Sequence, residues 1–406
     1  MFVILNLSWL KHPFTFSSFE IQSADQIATI RELGLERVQI DPLRSKLVST
    51  PSIAVQSPKS DRVPVESRAP DQEFSEKSIR TEQIRALRSN IAAAEKRAAK
   101  AAKAVREATR QFIAKPAEAI AVTEALISEI ADSLMGNSDV MVHLLNDKVA
   151  GEEIYYHSLN VAMLALLMGK ALELDAGALH TIGVAAVFHD IGKEEIPSRV
   201  LLKTDPLSHA EVELIKQHPA VGAKLALQAK MPEPVVAAIL QHHENIDGSG
   251  YPHSLTAEKI ALAAKVISIT NHYDNLCNPT NIASALTPYE ALSTMFAKRK
   301  GWFDQGMLAK LVRALGVYPP GSIIQLSNGA TGIVISVNSL KPLQPTAMVY
   351  DASVPKSEAI ILDLEKTPEL SISKALRPST LTPSVFEYLS PRKRVTYYFG
   401  EESRVN

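Results

Sequence analysis

Within EEIYYHSLNV, Glu153 and His157 stand four residues apart. On a helix both side chains then leave the same face one turn apart and can reach a single ion. His189 and Asp190 follow in FHDIGK beside Gly192 and Lys193, His218 precedes Pro219 in QHPAVG, and His242, His243 and Glu244 open HHENIDGSGYP. Imidazoles mixed with carboxylates suit Fe, Mn, Zn, Co or Ni, whereas Mg and Ca sites draw almost wholly on oxygen. The set implies a transition-metal centre. Asp190 has two carboxylate oxygens and can bridge two ions, and two ions about 4 Å apart can hold a hydroxide and clamp the attacking and leaving oxygens of a phosphate. The chemistry expected is phosphodiester hydrolysis. A buried His and Asp are costly unless paired or metal-bound, and His189-Asp190 directly follows the apolar run IGVAAVF. That placement favours a metal role over a structural one. His143 and His180 read instead as satisfied core groups, and His12, His209 and His253 as surface residues.

The elements that must position these groups are helices. Residues 116–320 are dominated by helical periodicity, with runs such as VAMLALLMGKAL and few β-branched alternations. Ahead of them, in the segment 81–115, Ile84, Leu87, Ile91, Ala94, Ala98, Ala101, Val105, Ala108 and Phe112 recur at alternating steps of three and four. This is a heptad seam, fit for a helical hairpin or a homodimer. The same helix carries nine Lys or Arg between Arg85 and Lys115 against Glu95 and Glu107, and a solvated helix face explains that run better than a nucleic-acid arm. Residues 43–80 are rich in Ser, Pro and charge and read as a flexible linker. Residues 1–42 mix short β-like runs, Phe2 to Leu5 and Val38 to Ile40, with a helical pattern over Ala24 to Leu33, and read as a small α/β module. Residues 321–406, after Tyr318-Pro319-Pro320, give short strands separated by turn residues and then a polar tail. The fold class expected is mainly α, a helical bundle with an α/β module before it and a β-rich appendage after it.

Bulk composition narrows the setting. With 406 residues the chain can hold two or three domains, and 43 basic against 44 acidic groups give no global pull toward nucleic acid or a membrane surface. One cysteine, Cys277, excludes an intrachain disulfide and points to a reducing, cytoplasmic compartment. No stretch reaches the roughly 18 apolar residues of a membrane span, and the opening MFVILNLSWL lacks the basic leader of a secretory signal.

HDIGK at 189–193, IPSRVLLK at 196–203, HP at 218–219, HHE at 242–244 and DGSGYP at 247–252 together resemble the HD-GYP family, a branch of the HD-domain metal phosphohydrolases. The resemblance runs from about Glu153 to Gly321. It implies a compact helical bundle, two or three transition-metal ions, iron or manganese, and cleavage of cyclic di-GMP to pGpG or GMP. Carried over by motif, His157, His189, Asp190, His218, His242 and His243 are implied metal ligands, with Glu153 directed to a third ion. Lys193 resembles the family lysine that faces the substrate phosphate and protonates the leaving oxygen. Gly250, Tyr251 and Pro252 belong to the namesake loop, which either shapes the pocket or meets a GGDEF-type cyclase. The first 42 residues resemble the small domain of unknown function often found before HD-GYP, through LSWLKHPF, SFEIQS and VQIDP. They open mid-motif at MFVI, as though the start lay upstream or the first strand were missing.

Two departures stand out. NHYDNL places Asn271 where the family carries its last ligand aspartate, while Asp274 keeps the second acid. A neutral amide coordinates more weakly than a carboxylate, so one ion is expected to be held loosely. The segment NPTNIASALTPYEAL after Cys277 has no Arg or Lys, where the family carries arginines that contact phosphate. Arg199 or Lys203 would then have to grip the substrate. The alternatives to a cyclic di-GMP phosphodiesterase are a degenerate nucleotide sensor or interaction platform, and a hydrolase of another cyclic nucleotide.

Overall fold

The computed structural model describes the chain apart from residues 6–17, 22, 34, 36, 42–44, 46–69, 137–140, 145–152, 204, 339–340, 357–358, 391–396 and 401–406. For residues 18, 25, 70–84, 87, 88, 90, 91, 136, 141–144, 153, 282, 338 and 397–400 it describes the backbone alone.

At the N-terminus β1 (Phe2–Ile4), β2 (Ser18–Glu20) and β3 (Gln39–Asp41) form an antiparallel sheet in the order β2-β1-β3, with α1 (Ala24–Glu32) between β2 and β3 in the chain. The Ser23 hydroxyl accepts from the Gln26 N–H and the Gln26 side chain accepts from the Ser23 N–H. This capping box starts α1 by satisfying two donors that a helix end leaves open. Val3, Leu5, Phe19 and Ile30 close a small core of their own, so the α/β module expected from the sequence is present.

The heptad segment lies in one long helix, α2 (Pro70–Gln111), followed by α3 (Pro116–Gly136). It begins at Pro70, inside the stretch read as linker. The apolar seam does not await a second copy. Ala94, Ala98, Ala101, Val105, Ala108 and Phe112 are each at most 2% exposed and share one core with Ile127, Leu159 and Phe188. The Phe112 and Phe188 rings meet at 4.8 Å. Fully burying a side chain of this size is worth about 1.5–3 kcal/mol, and here that gain is realised within the chain. A homodimer along this part of the seam therefore has no free apolar face to use. The side chains of Ile84, Leu87 and Ile91 lie outside the described ones.

At the centre stand α4 (Glu153–Ala171) and α5 (Ala176–Phe188). Every residue from Ser158 to Gly169 is buried, as befits a helix that is apolar on all sides and surrounded by others. The short helices α6 (Ser198–Leu201) and α7 (His209–Ile215) lead into α8 (His218–Gln228), α9 (Glu233–Gln241), α10 (Leu262–Cys277), α11 (Pro288–Lys298) and α12 (Gln305–Leu315). Helices α9 and α10 close on α4 and α5, α8 packs on α9 and on the 191–195 turn after α5, and the polar side chains enter where they meet. Cys277 is buried in this core.

The C-terminal sheet runs β10-β4-β6-β5-β9, with β7 pairing β6 and β8. Its strands are β5 (Ile323–Leu326), β6 (Thr331–Asn338), β7 (Thr346–Val349), β8 (Ile360–Asp363), β9 (Ile372–Leu376) and β10 (Tyr397–Gly400), joined by β4 (Met141–Leu144) from between α3 and α4. Two expected boundaries move as a result. The segment 116–320 is not wholly helical, because β4 leaves it to pair with β6 and β10. The tail is not merely polar, since Tyr397–Gly400 completes the sheet edge. A four-residue strand gives too short an alternation to be read without its partners. Among the described residues no helix is long and apolar enough to cross a membrane.

Candidate metal centre

Histidine orientation is set by backbone carbonyls near helix ends. His189 caps the C-terminus of α5, and its Nδ1 donates to the Ala186 carbonyl at 2.7 Å. His218 opens α8 and donates from Nδ1 to the Ile215 carbonyl at the end of α7 at 2.7 Å. His242 caps α9 and donates from Nδ1 to the Ile239 carbonyl at 2.7 Å. Such carbonyls lack helical partners and are ready acceptors. Because a carbonyl only accepts, each Nδ1 carries the hydrogen and each Nε2 keeps a bare lone pair. His157 on α4 is fixed in the same sense by a carboxylate, its Nδ1 lying 2.6 Å from Asp274 Oδ2. Asp274 is itself held, accepting at Oδ1 from Asn160 Nδ2 at 2.9 Å and from Asn278 Nδ2 at 2.8 Å.

These bare nitrogens converge on Asp190. Its Oδ1 lies 3.2 Å from His218 Nε2 and 3.8 Å from His242 Nε2. Its Oδ2 lies 3.4 Å from His189 Nε2, 3.7 Å from His157 Nε2 and 2.5 Å from Lys193 Nζ. The His218 and His242 Nε2 atoms are 3.2 Å apart. With both Nδ1 atoms protonated, that contact sets lone pair against lone pair, which a cation between them resolves. Asp190 Oδ1 and His189 Nε2 are buried with no hydrogen-bond partner, a costly state for polar atoms unless something is coordinated there. Two donor sets result, Asp190 with His218, His242 and His243, and Asp190 with His157 and His189, the atoms of each set within 4.8 Å of one another. The residues present fit metal ions, with one carboxylate shared between the two halves.

The electrostatics agree. Burial lowers His189 below the ordinary histidine value. Burial and the neighbouring imidazoles push His242 and His243 well below it, so all three are neutral at pH 7. Burial works against ionisation of Asp190, but the Lys193 ammonium 2.5 Å from its Oδ2 outweighs it, and the carboxyl is held well below its usual range.

Close backbone approach makes the convergence geometrically feasible. A Cβ on Gly192 would lie 2.0 Å from the His218 carbonyl oxygen, and one on Gly250 would lie 2.3 Å from the Asn245 nitrogen. Both positions must be glycine for the chain to fold as it does. The loop carrying Gly250, Tyr251 and Pro252 is pinned to the cluster. Tyr251 donates its N–H to the His243 carbonyl at 3.1 Å and stacks its ring on the His243 imidazole at 4.7 Å and 17°. The buried Glu244 carboxylate accepts from the His253 N–H at 2.7 Å and the Leu255 N–H at 2.9 Å. The geometry supports a loop that shapes the pocket.

Other expected residues fall elsewhere. Asn271 is buried on α10, and its Oδ1 accepts from Asn275 Nδ2 at 2.6 Å. Lys203 is committed to Glu211, with Nζ 2.7 Å and 2.9 Å from the carboxylate oxygens, so it is not a waiting phosphate grip. Arg199 is exposed on α6, His209 and His253 are exposed, and His180 is half-buried. The side chains of Glu153, His12 and His143 lie outside the described ones. Sequence reasoning passed over Asn160 and Asn278 as supports of Asp274. Asn160 lies three residues past His157, on the same face of α4, and that spacing was the available signal.

A helical bundle whose paired His and Asp anchor a histidine-rich centre defines a class, the HD domain, and residues 87–307 match that family, more than half of the chain. The chain belongs to the HD domain family, in its HD-GYP branch. Residues 1–123 match a domain of unknown function, DUF3391, and residues 323–384 match the KOW domain associated with HD domain. A cyclic di-GMP phosphodiesterase of Pseudomonas aeruginosa is 30% identical over 350 residues, covering 84% of this chain and 80% of the relative. The cyclic di-GMP phosphodiesterase response regulator RpfG of Xanthomonas campestris pv. campestris is 35% identical over 149 residues, covering 36% of this chain and 39% of that protein. Among solved structures, an HD-GYP-type protein from Bdellovibrio bacteriovorus matches with a TM-score of 0.45 and 20% identity, over 60% of this chain and 80% of that one.

Proposed function

We propose that this chain is a metal-dependent phosphodiesterase that hydrolyses cyclic di-GMP to linear pGpG or GMP. The observation that carries the reading is Asp190, whose two oxygens face two separate sets of Nε2 lone pairs at 3.2–3.8 Å. Relatives named for cyclic di-GMP hydrolysis supply the substrate. His157 and His189 with Asp190 Oδ2 would hold one ion, and His218, His242 and His243 with Asp190 Oδ1 a second. Glu153 is assigned to a third where one binds, and Asn271 is a weak ligand at best while its oxygen serves Asn275. Iron or manganese suits this mixture of imidazole and carboxylate. When bound, the ions supply Lewis acidity and activate water at neutral pH.

The protein's own residues do the rest. Asp190 holds the two halves in register, and Asp274 keeps His157 turned to present Nε2. Lys193, 2.5 Å from Asp190 and about one third exposed, stands between the centre and solvent. From there its ammonium delivers a proton to the 3′ oxygen as the phosphorus–oxygen bond breaks. Tyr251, packed on His243, walls the pocket against water. The exposed Asp247, Ser249 and His253 are the part of the loop left for contact with a GGDEF-type cyclase. The single cysteine, buried and unpaired, supports a cytoplasmic setting.

Metal analysis and cyclic di-GMP turnover on one preparation test the assignment. At least one equivalent of transition metal with release of pGpG or GMP is expected, and metal-replete protein without turnover would end it.

A further inference from the structure

The first cations after Cys277 are Lys298, Arg299 and Lys300, at the end of α11. Arg299 is held in a defined pose. Its Nη1 donates to His272 Nε2 at 2.6 Å, and its guanidinium lies 4.5 Å above the Trp302 ring. His272 in turn meets Trp302 edge-on at 5.6 Å and Phe303 at 5.2 Å. Its partners among the described residues are thus an imidazole and an indole, and neither is anionic. A half-buried guanidinium placed this way has given up hydration without gaining a counter-ion.

The turn that carries it rests on the segment leading out of the metal centre. The Trp302 carbonyl accepts from the Ile246 N–H at 3.0 Å, and a Cβ on Gly301 would lie 3.2 Å from Asp247 Oδ2. Ile246 is three residues beyond His243, and His272 directly follows Asn271 on α10. Arg299 is therefore fixed on the rim of the loop that Tyr251 pins to the cluster. With Nη1 engaged, Nε and Nη2 present a two-donor edge that matches two phosphate oxygens.

We propose that Arg299 is a substrate-binding residue that grips a phosphate of the cyclic dinucleotide other than the one being cleaved, an inference that rests on the phosphodiesterase reading above. The arginine-free segment after Cys277 then leaves the substrate gripped from α11 rather than from the end of α10. His272 and Trp302 are positioning residues for that guanidinium.

The full chain, loaded with manganese, is assayed as wild type, Arg299→Met and Arg299→Lys with two substrates. One is cyclic di-GMP, and the other is bis(p-nitrophenyl) phosphate, a phosphodiester with no second phosphate. Arg299→Met is expected to raise KM for cyclic di-GMP by about tenfold or more with kcat little changed, the loss of one bidentate ionic contact. Arg299→Lys should fall between, because an ammonium keeps charge but not the fork. Both variants should hydrolyse the small diester as wild type does and melt at the same temperature. Equal losses on both substrates would mark a structural role, and an unchanged KM for cyclic di-GMP would also overturn the proposal. If the wild type turns over neither substrate, the phosphodiesterase reading fails by itself. Calorimetric titration of cyclic di-GMP then decides the arginine: weaker binding by Arg299→Met upholds it, while equal affinities, or no binding to wild type, sink it.

Discussion

Replacing Asp274 with Asn isolates the support beneath one half of the centre. The native carboxylate receives three donors, His157 Nδ1 at 2.6 Å, Asn160 Nδ2 at 2.9 Å and Asn278 Nδ2 at 2.8 Å. An amide offers a single acceptor oxygen, and its own NH2 must face one or two of those donors. His157 then loses a charge-assisted hydrogen bond, worth about 1.5–3 kcal/mol, and with it the fixed tautomer that bares Nε2 toward Asp190. At about 1.4 kcal/mol per decade that loss is about 10- to 100-fold in affinity, the range seen when outer partners of metal ligands are removed. Only the set of His157, His189 and Asp190 should weaken, because His218, His242 and His243 have no contact with Asp274 among the described residues. Manganese titration of metal-stripped Asp274→Asn by calorimetry should show one class of sites weakened and the other intact. Circular dichroism and thermal melting confirm that the variant is folded, since Asp274 is 1% exposed and its confronted donors cost some stability. Two unchanged classes of site in a folded variant would refute the role assigned to Asp274, and uniform weakening would refute the division of the centre into two halves.

Two further outcomes are expected. Asn271→Asp restores a carboxylate three residues before Asp274 on α10 and should tighten metal binding at the centre by about tenfold or more while raising kcat; unchanged metal affinity and rate would mean that position 271 stays turned toward Asn275. Metal-free protein should lose stability as pH falls below about 6.5, where His189, His242 and His243 bind protons in the unfolded chain but, lowered by burial, not yet in the folded one. The sign follows because the unfolded state then carries more protons, and the slope is at most about 1.4 kcal/mol per pH unit for each histidine. Thermal melts of chelator-treated protein between pH 7 and pH 5 check this, and a melting temperature independent of pH would contradict it.

The sequence by itself determined the chemistry and the scaffold class. The pair His189-Asp190 after an apolar run and HHE followed by DGSGYP are local signals. Metal ligation depends on residue type, and helices on short-range periodicity, so both could be read along the chain. The N-terminal module was legible for the same reason, through the short runs Phe2 to Leu5 and Val38 to Ile40 and the helical pattern over Ala24 to Leu33.

What depended on distant segments meeting was decided by the tertiary structure. The heptad seam of α2 carries a dimer's signature, yet a seam cannot state what covers it, and α3, α4 and α5 of the same chain do so. β4 and β10 are too short to declare themselves and become strands only through pairing with each other and with β6. Lys203 read as a free cation until Glu211 folded against it. The division of the centre into two halves, with Asp190 between them and Asp274 behind His157, arises because α4, α5, α8, α9 and α10 converge. Each carbonyl lock on Nδ1 is local, but the direction in which every Nε2 then points is a property of how those helices pack.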